Sequence, residues 1–349
     1  MNTMLVARTT AKQTLSFEKV ATPSRSPGHC LVRVASVSLC GTDLHIFDDD
    51  YPSDLPIVQG HEICGAVFEA DPDGNLVAGD RVVVDPLIAC GQCAVCRAGH
   101  ANVCPKLSVL GCYTDGGLAE VLNVPTPRLH RVPHEMDDDA AALAEPTSIA
   151  LEAVTRAEPR AGDVALVLGC GPIGLLSSLA LVDRGATVVA ADIDEQRTAL
   201  ARRLGATHTF VVGTTFPDPK QHEVLAALTE GMGPRIIIEA TGAPTSLMNA
   251  IRTIAPAGRI VQVGISTGSA TIAVKDLTDK EIELHGSRNS RGLIPEALSL
   301  LHRHPAAASA LITHRFAFTE LGEALRTMAD HTVPTGKIVI HVSGSLEVS

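Results

Sequence analysis

Residues 164–182 read VALVLGCGPIGLLSSLALV, an uncharged run whose interpretation decides the fold. Its length is close to that of a membrane span. Its centre, however, is a G-x-G-x-x-G turn of Gly169, Gly171 and Gly174, with Pro172 and Ile173 inside the motif. An apolar β-rich run precedes the turn and a helical pattern follows it, which predicts burial in a parallel sheet. The next run, TVVAAD, closes on Asp192 about 18 residues beyond Gly174, completing the context for a dinucleotide. Glycines let the backbone approach a pyrophosphate, and the positive end of a helix dipole faces its charge. Asp192 can accept hydrogen bonds from the adenosine ribose and would repel the extra phosphate of NADP, so NAD is the expected cofactor. An inert tight turn is the plain alternative.

Further strands are expected at 208–212, 235–239, 259–264 and 281–286, with helical patterns such as DEQRTALARRLG and PTSLMNAIRTI between most of them. Together they predict a doubly wound sheet of six parallel strands with right-handed crossovers over residues 148–286.

At 349 residues the chain is long enough for about two domains, each with its own core. It carries 28 basic and 39 acidic residues with no basic run, which argues against nucleic-acid and membrane partners. The opening MNTMLVARTTAKQT lacks the apolar core of a secretion signal, so the expected compartment is the cytoplasm. In a reducing compartment nine cysteines, an odd number, suit metal ligation better than disulfides.

The segment ACGQCAVCRAGHANVC, residues 89–104, sets Cys90, Cys93, Cys96 and Cys104 at C-x2-C-x2-C-x7-C spacing. One loop can wrap four such thiolates around a single zinc ion, with Gly91 and Gly99 permitting tight turns. An iron–sulfur cluster, redox thiols or unliganded core thiols are the other readings. A zinc held this way has every position filled by protein, so substrate must be handled elsewhere.

Upstream, LCGTDLH at 39–45 and QGHE at 59–62 bring a thiol, imidazoles and carboxylates into two short segments. Singly, Cys40 reads as a core thiol and His61 as a satisfied loop histidine. Together they offer the mixed soft, borderline and hard donors of an open catalytic zinc. Glu145, in ALAEPTSIALEAV, begins an apolar helix where an unpaired carboxylate is costly to bury. A metal would give it a partner; an ordinary acid in a helix's first turn is the alternative.

In chain order, GHE, the four-cysteine loop, DGGLAEVL, LGCGPIG, AADID and the closing GKIVIHV resemble the zinc-containing medium-chain dehydrogenase/reductase family, the alcohol and polyol dehydrogenases. The resemblance implies an α/β protein with a GroES-like β-rich catalytic domain at 1–147, a Rossmann domain, and a return of the chain to the catalytic domain at 287–349. It implies two zinc ions per chain, one structural in the cysteine loop and one catalytic on Cys40, His61 and Glu145. Glu62 matches an acid that in the family binds zinc directly or sits just behind it, and Asp43 would orient His61. Glu145 stands where better-known alcohol dehydrogenases have a second cysteine, as in the polyol, threonine and sugar-acid branches. Zinc would polarise a substrate hydroxyl, hydride would pass to the nicotinamide, and Thr42 and His45 would relay the proton outward. Arg197 would flank the adenosine ribose, while Val263 and Ile265, with 287–289, would line the nicotinamide side. A homodimer or homotetramer is implied as well.

Relatives often carry aromatic residues where this chain has Leu118 and Val121, so Phe47 and Tyr51 are the nearest candidates for an aromatic pocket wall. The expected reaction is reversible oxidation of a secondary hydroxyl on a polyol or sugar acid to a ketone. Arg288 or Arg291 would be available to a substrate carboxylate. Simple alcohols and L-threonine are rival substrates. A catalytically silent binding or structural protein is the rival class, and a zinc-ribbon interaction module is disfavoured by the acidic charge. Cys30, Cys64, Cys112 and Cys170 read as core or turn thiols, and the acids at 48–50 and 137–139 as loop and helix-start residues.

Overall fold

The structure, a computed structural model, describes residues 3–330 and 332–342. It divides into two compact units, Pro146–Leu293 and the chain up to Glu145 together with the chain from Ile294 on.

In Pro146–Leu293 the apolar runs form six parallel strands. Their spatial order is His208–Val211, Thr187–Asp192, Val164–Leu168, Ile236–Glu239, Arg259–Gln262 and Glu283–Gly286. This is the Rossmann sheet. The order reverses between Val164–Leu168 and Ile236–Glu239, so the crevice at their carboxyl ends is the place where such a sheet binds a ligand. The charge-free run therefore becomes the central strand, the glycine turn and the helix Pro172–Asp183, whose residues from Gly174 to Leu181 are all buried. A helix apolar on every side needs such surroundings. Among the described residues no helix is long and apolar enough to cross a membrane. The last strand begins at Glu283, later than the sequence suggests, because Glu281 takes a left-handed turn conformation at φ 49°.

The other unit is built on a seven-stranded sheet. Ile312–Ala317, Lys337–His341, His29–Ser38, Glu62–Glu69, Arg81–Val84 and Leu129–Arg131 follow one another across it, and Val121–Pro125 also pairs with His29–Ser38. Alternate residues such as Val32, Val34, Ile63, Val82 and Ile340 fill its core. Register is what matters for function. Ser38 stands opposite Glu62 on one side and Val339 on the other, so the segments Leu39–Cys40 and His61–Glu62 leave or enter the sheet at one end.

Candidate active site

Cys40 caps the helix Gly41–Phe47. Its main-chain N–H donates to Asp43 Oδ2 at 2.9 Å, and the N–H of Gly60 donates to Asp43 Oδ1 at 3.1 Å. The buried Asp43 carboxylate thus fastens together the two segments that carry Cys40 and His61. Gln59 extends the network, donating to the Asp43 carbonyl at 2.6 Å and accepting from Thr9 Oγ1 at 2.5 Å. Gly60 has φ 91°, and a Cβ on Gly111 would stand 2.3 Å from its carbonyl oxygen. Only glycine permits that approach, which holds the backbone before His61 in place.

As a result, ligand atoms of Cys40, His61 and Glu62 lie within 4.8 Å of one another. Glu145 does not belong to that set. It is buried at the start of the helix Ala144–Ala157, and burial raises its carboxyl to about 7, with His61 and Lys337 acting the other way. His61 Nδ1 lies 3.6 Å from Cys112 Sγ and 3.9 Å from Asp43 Oδ1. The second distance is too long for a hydrogen bond. Both Asp43 oxygens are occupied by backbone amides, so Cys112, expected to be a plain core thiol, is the nearer partner of the imidazole.

Sequence reasoning missed Lys337. Among the described residues it is the only buried lysine or arginine, with 2% of its surface exposed. Its Nζ donates to both oxygens of Glu62, the longer contact being 2.6 Å, and to the Leu39 carbonyl at 3.1 Å. Burial, the largest single influence, would lower the ammonium pKa, but the charges of Glu62, Cys40 and Glu145 and the hydrogen bond to Glu62 together outweigh it and raise the pKa. A lysine opening the apolar strand KIVIH was the available signal, since such a charge requires a buried partner.

The residues fit a divalent cation. The Cys40 thiol and the buried acids Asp43, Glu62 and Glu145 carry up to four negative charges around one ammonium, and their donor types match zinc. Thr42 Oγ1 lies 3.8 Å from Cys40 Sγ. His45, further along the same helix, is largely exposed, with Nδ1 2.9 Å from Asp50 Oδ1 in the acidic run expected to be loop residues.

The four-cysteine loop is assembled as a closed site. Its sulfurs stand 3.4 Å (Cys93–Cys96), 3.5 Å (Cys90–Cys104), 4.0 Å (Cys90–Cys96) and 4.0 Å (Cys93–Cys104) apart. A zinc tetrahedron with bonds of about 2.3 Å has edges of about 3.8 Å. The backbone N–H groups of Gln92 and Cys93 and the Cys104 thiol lower the Cys90 thiol to about 6, while burial and the neighbouring sulfurs push Cys96 up to about 12, so Cys90 ionises before Cys96.

Within Pro146–Leu293 a cavity of about 350 Å³ is lined by Gly169, Gly171, Asp192, Arg197 and Thr241, among others. Asp192 Oδ2 accepts the Cys170 N–H at 2.6 Å and Oδ1 accepts the Asp194 N–H at 2.9 Å. Gly171 caps the helix that Pro172 and Ile173 begin, and a Cβ on Gly174 would meet the Gly169 carbonyl at 1.8 Å. Arg197 lies 3.8 Å from Asp194. Val263 is buried, while Ile265 is 79% exposed. Glu239 was also missed. Fully buried at the end of its strand, it accepts N–H bonds from Thr241 and Gly242 at 3.0 Å each and from Gln262 Nε2 at 2.5 Å. It thereby shapes the Thr241–Ala243 turn that lines the cavity.

Some pocket candidates have other work. Arg291 Nε donates to the buried Glu152 at 2.8 Å. Leu118 and Val121 are core residues, and Phe47 packs against that core. Tyr51 meets Tyr113, not anticipated, with hydroxyls 3.3 Å apart.

The alcohol dehydrogenase GroES-like domain family matches residues 26–134, and the zinc-binding dehydrogenase family matches residues 172–303. The chain is 34% identical to L-galactonate-5-dehydrogenase of Escherichia coli K12, over 93% of this chain and 94% of that one. It is 31% identical to L-idonate 5-dehydrogenase of Vitis vinifera, over 91% of this chain and 89% of that one. Among solved structures, an alcohol dehydrogenase (RspB) from E. coli CFT073, complexed with NADH, superposes with TM-score 0.89 at 29% identity, covering 98% of this chain and all of that one. With its GroES-like and Rossmann units, the chain belongs to the zinc-containing medium-chain dehydrogenase/reductase family of NAD(P)-dependent alcohol and polyol dehydrogenases.

Proposed function

We propose that this enzyme oxidises a secondary hydroxyl of a polyol or sugar acid reversibly to a ketone, using Cys40, His61 and a carboxylate from Glu62, Glu145 or both to hold a catalytic zinc. The observation that carries the reading is the convergence of thiol, imidazole and carboxylate within 4.8 Å, amid more buried acid than one ammonium offsets. When bound, zinc supplies Lewis acidity toward the substrate hydroxyl and NAD accepts the hydride.

The chain's own residues do the rest. Asp43 and Gly60 hold the ligand segments in register, and Cys112 fixes the plane of the His61 ring. Thr42, beside the Cys40 sulfur, accepts the substrate proton as its hydroxyl gives up its own, and His45, exposed and paired with Asp50, releases a proton to solvent at the outer end of the relay. Gly169 and Gly171 let the backbone approach the pyrophosphate, the helix that Pro172 begins turns the N–H groups of Ile173 and Gly174 toward it, and Asp192 receives the ribose hydroxyls with Arg197 beside it. Val263 and Ile265 are proposed for the nicotinamide side. Cys90, Cys93, Cys96 and Cys104 hold the structural zinc.

The relatives acting on L-galactonate and L-idonate support a sugar-acid substrate. The cytoplasm is the proposed compartment, and a homodimer or homotetramer the proposed assembly. The edge strand Glu283–Gly286, with Leu284 40% exposed, supports a partner copy along that side. The test is NADH formation across polyols, aldonates, simple alcohols and L-threonine. Turnover confined to simple alcohols or L-threonine would refute the substrate class.

A further inference from the structure

Lys337 touches both arms of the metal set from a distant part of the chain. Its ammonium reaches the carbonyl of Leu39, next to Cys40, and the carboxylate of Glu62, next to His61. The strand that carries it pairs with His29–Ser38 through Val339 and Ile340, and the Leu39 N–H donates to the Ile338 carbonyl at 2.8 Å. Main-chain and side-chain bonds from one C-terminal strand therefore meet at the residue before a metal ligand. Plain strand pairing would be served better by an apolar residue, as at Ile338, Val339 and Ile340. An ammonium buried there is costly without its carboxylate, and the carboxylate without the ammonium.

We propose that Lys337 is a positioning residue that makes metal binding at Cys40, His61 and Glu62 and docking of the strand Lys337–His341 one linked equilibrium. The docked strand supplies the charge that holds Glu62 in place beside the other donors. Bound metal in turn favours the arrangement in which Glu62 is held, and so keeps the strand docked. By linkage, each event strengthens the other by the same factor. The inference rests on the reading that this donor set holds zinc.

The test compares the zinc-loaded wild-type chain with Lys337→Met. Zinc per chain and affinity are measured by chelator competition, the cysteine-loop ion serving as an internal reference. Cobalt substitution reports the coordination geometry through its visible absorption. The variant is expected to retain the cysteine-loop ion, to bind the other about 10- to 100-fold more weakly, the usual effect of losing a ligand's supporting partner, and to shift the cobalt bands. A second arm needs no variant. Removing the weaker ion from the wild type should speed amide exchange in Lys337–His341 and at Leu39, with Val164–Leu168 unchanged. Unchanged affinity and cobalt bands in the variant, or unchanged exchange in the wild type, would overturn the linkage. If Lys337→Met does not fold, the wild-type exchange decides. A wild-type chain holding only the cysteine-loop ion would refute the metal reading itself, and the linkage with it.

Discussion

The main-chain N–H of Cys170, inside the glycine turn, donates to the carboxylate of Asp192 at 2.6 Å. One acid thus braces the turn and lines the cavity where a ribose would lie. Asp192→Gly removes both the ribose acceptor and the charge that repels an extra phosphate. The ratio of NAD to NADP affinity is expected to fall about tenfold or more, each tenfold being about 1.4 kcal/mol. Fluorescence titration with NADH and NADPH checks it; an unchanged ratio would mean that the ribose is read elsewhere.

Glu239 makes a separate prediction for the same cavity. Glu239→Gln keeps the shape but replaces one of the two acceptor oxygens with an NH2 donor, so one of the amides of Thr241 and Gly242, which donate to different oxygens, loses its acceptor. Leaving buried groups unsatisfied costs about 1–3 kcal/mol. NADH is expected to bind at least several-fold more weakly while both zinc ions remain, and unaltered binding would show that this turn does not shape the cofactor site.

The contrast between Asp192 and Lys337 shows what the sequence made legible. The glycine turn, the acid closing the next strand and the four-cysteine spacing are local patterns whose chemistry follows from spacing alone. The six parallel strands were legible for the same reason, as apolar runs separated by helical ones. Lys337, Cys112 and Glu239 act through partners distant in the chain or through backbone amides, and no local spacing announces such contacts. Lys337 and Glu62 are 275 positions apart. His45 is intermediate: its place after Cys40 was readable, its pairing with Asp50 was not.

Asp139 gives a prediction for stability. It accepts from Ser36 at 2.9 Å and Arg315 at 2.7 Å and contacts His341 at 2.9 Å, tying the helix Asp138–Ala142 to three strands. Burial pushes its carboxyl upward, but these partners outweigh it and hold the pKa below the ordinary value. A depressed carboxyl stabilises the fold above its unfolded pKa, and that contribution disappears as pH falls through the folded value. Asp139→Asn should therefore cost about 1–3 kcal/mol at neutral pH, with the gap to wild type narrowing below about pH 4. Denaturant unfolding across pH checks it; a gap constant with pH would contradict the assignment.

The cysteine loop makes a third kind of claim. Cys96→Ser should release one zinc and lower the melting temperature by several degrees, because a closed structural site contributes its binding energy to folding. NADH binding should survive. Loss of NADH binding along with that ion would show that the loop supports the Rossmann unit directly.

The most direct measurement is zinc content, NADH binding and substrate-dependent NADH formation in Cys40→Ser beside the wild type. The account predicts two zinc ions falling to one, intact NADH binding, and turnover reduced about a thousandfold, because Lewis-acid help to the hydroxyl is lost. A variant that kept both ions, or turned over at the wild-type rate, would contradict a catalytic zinc on Cys40 and His61.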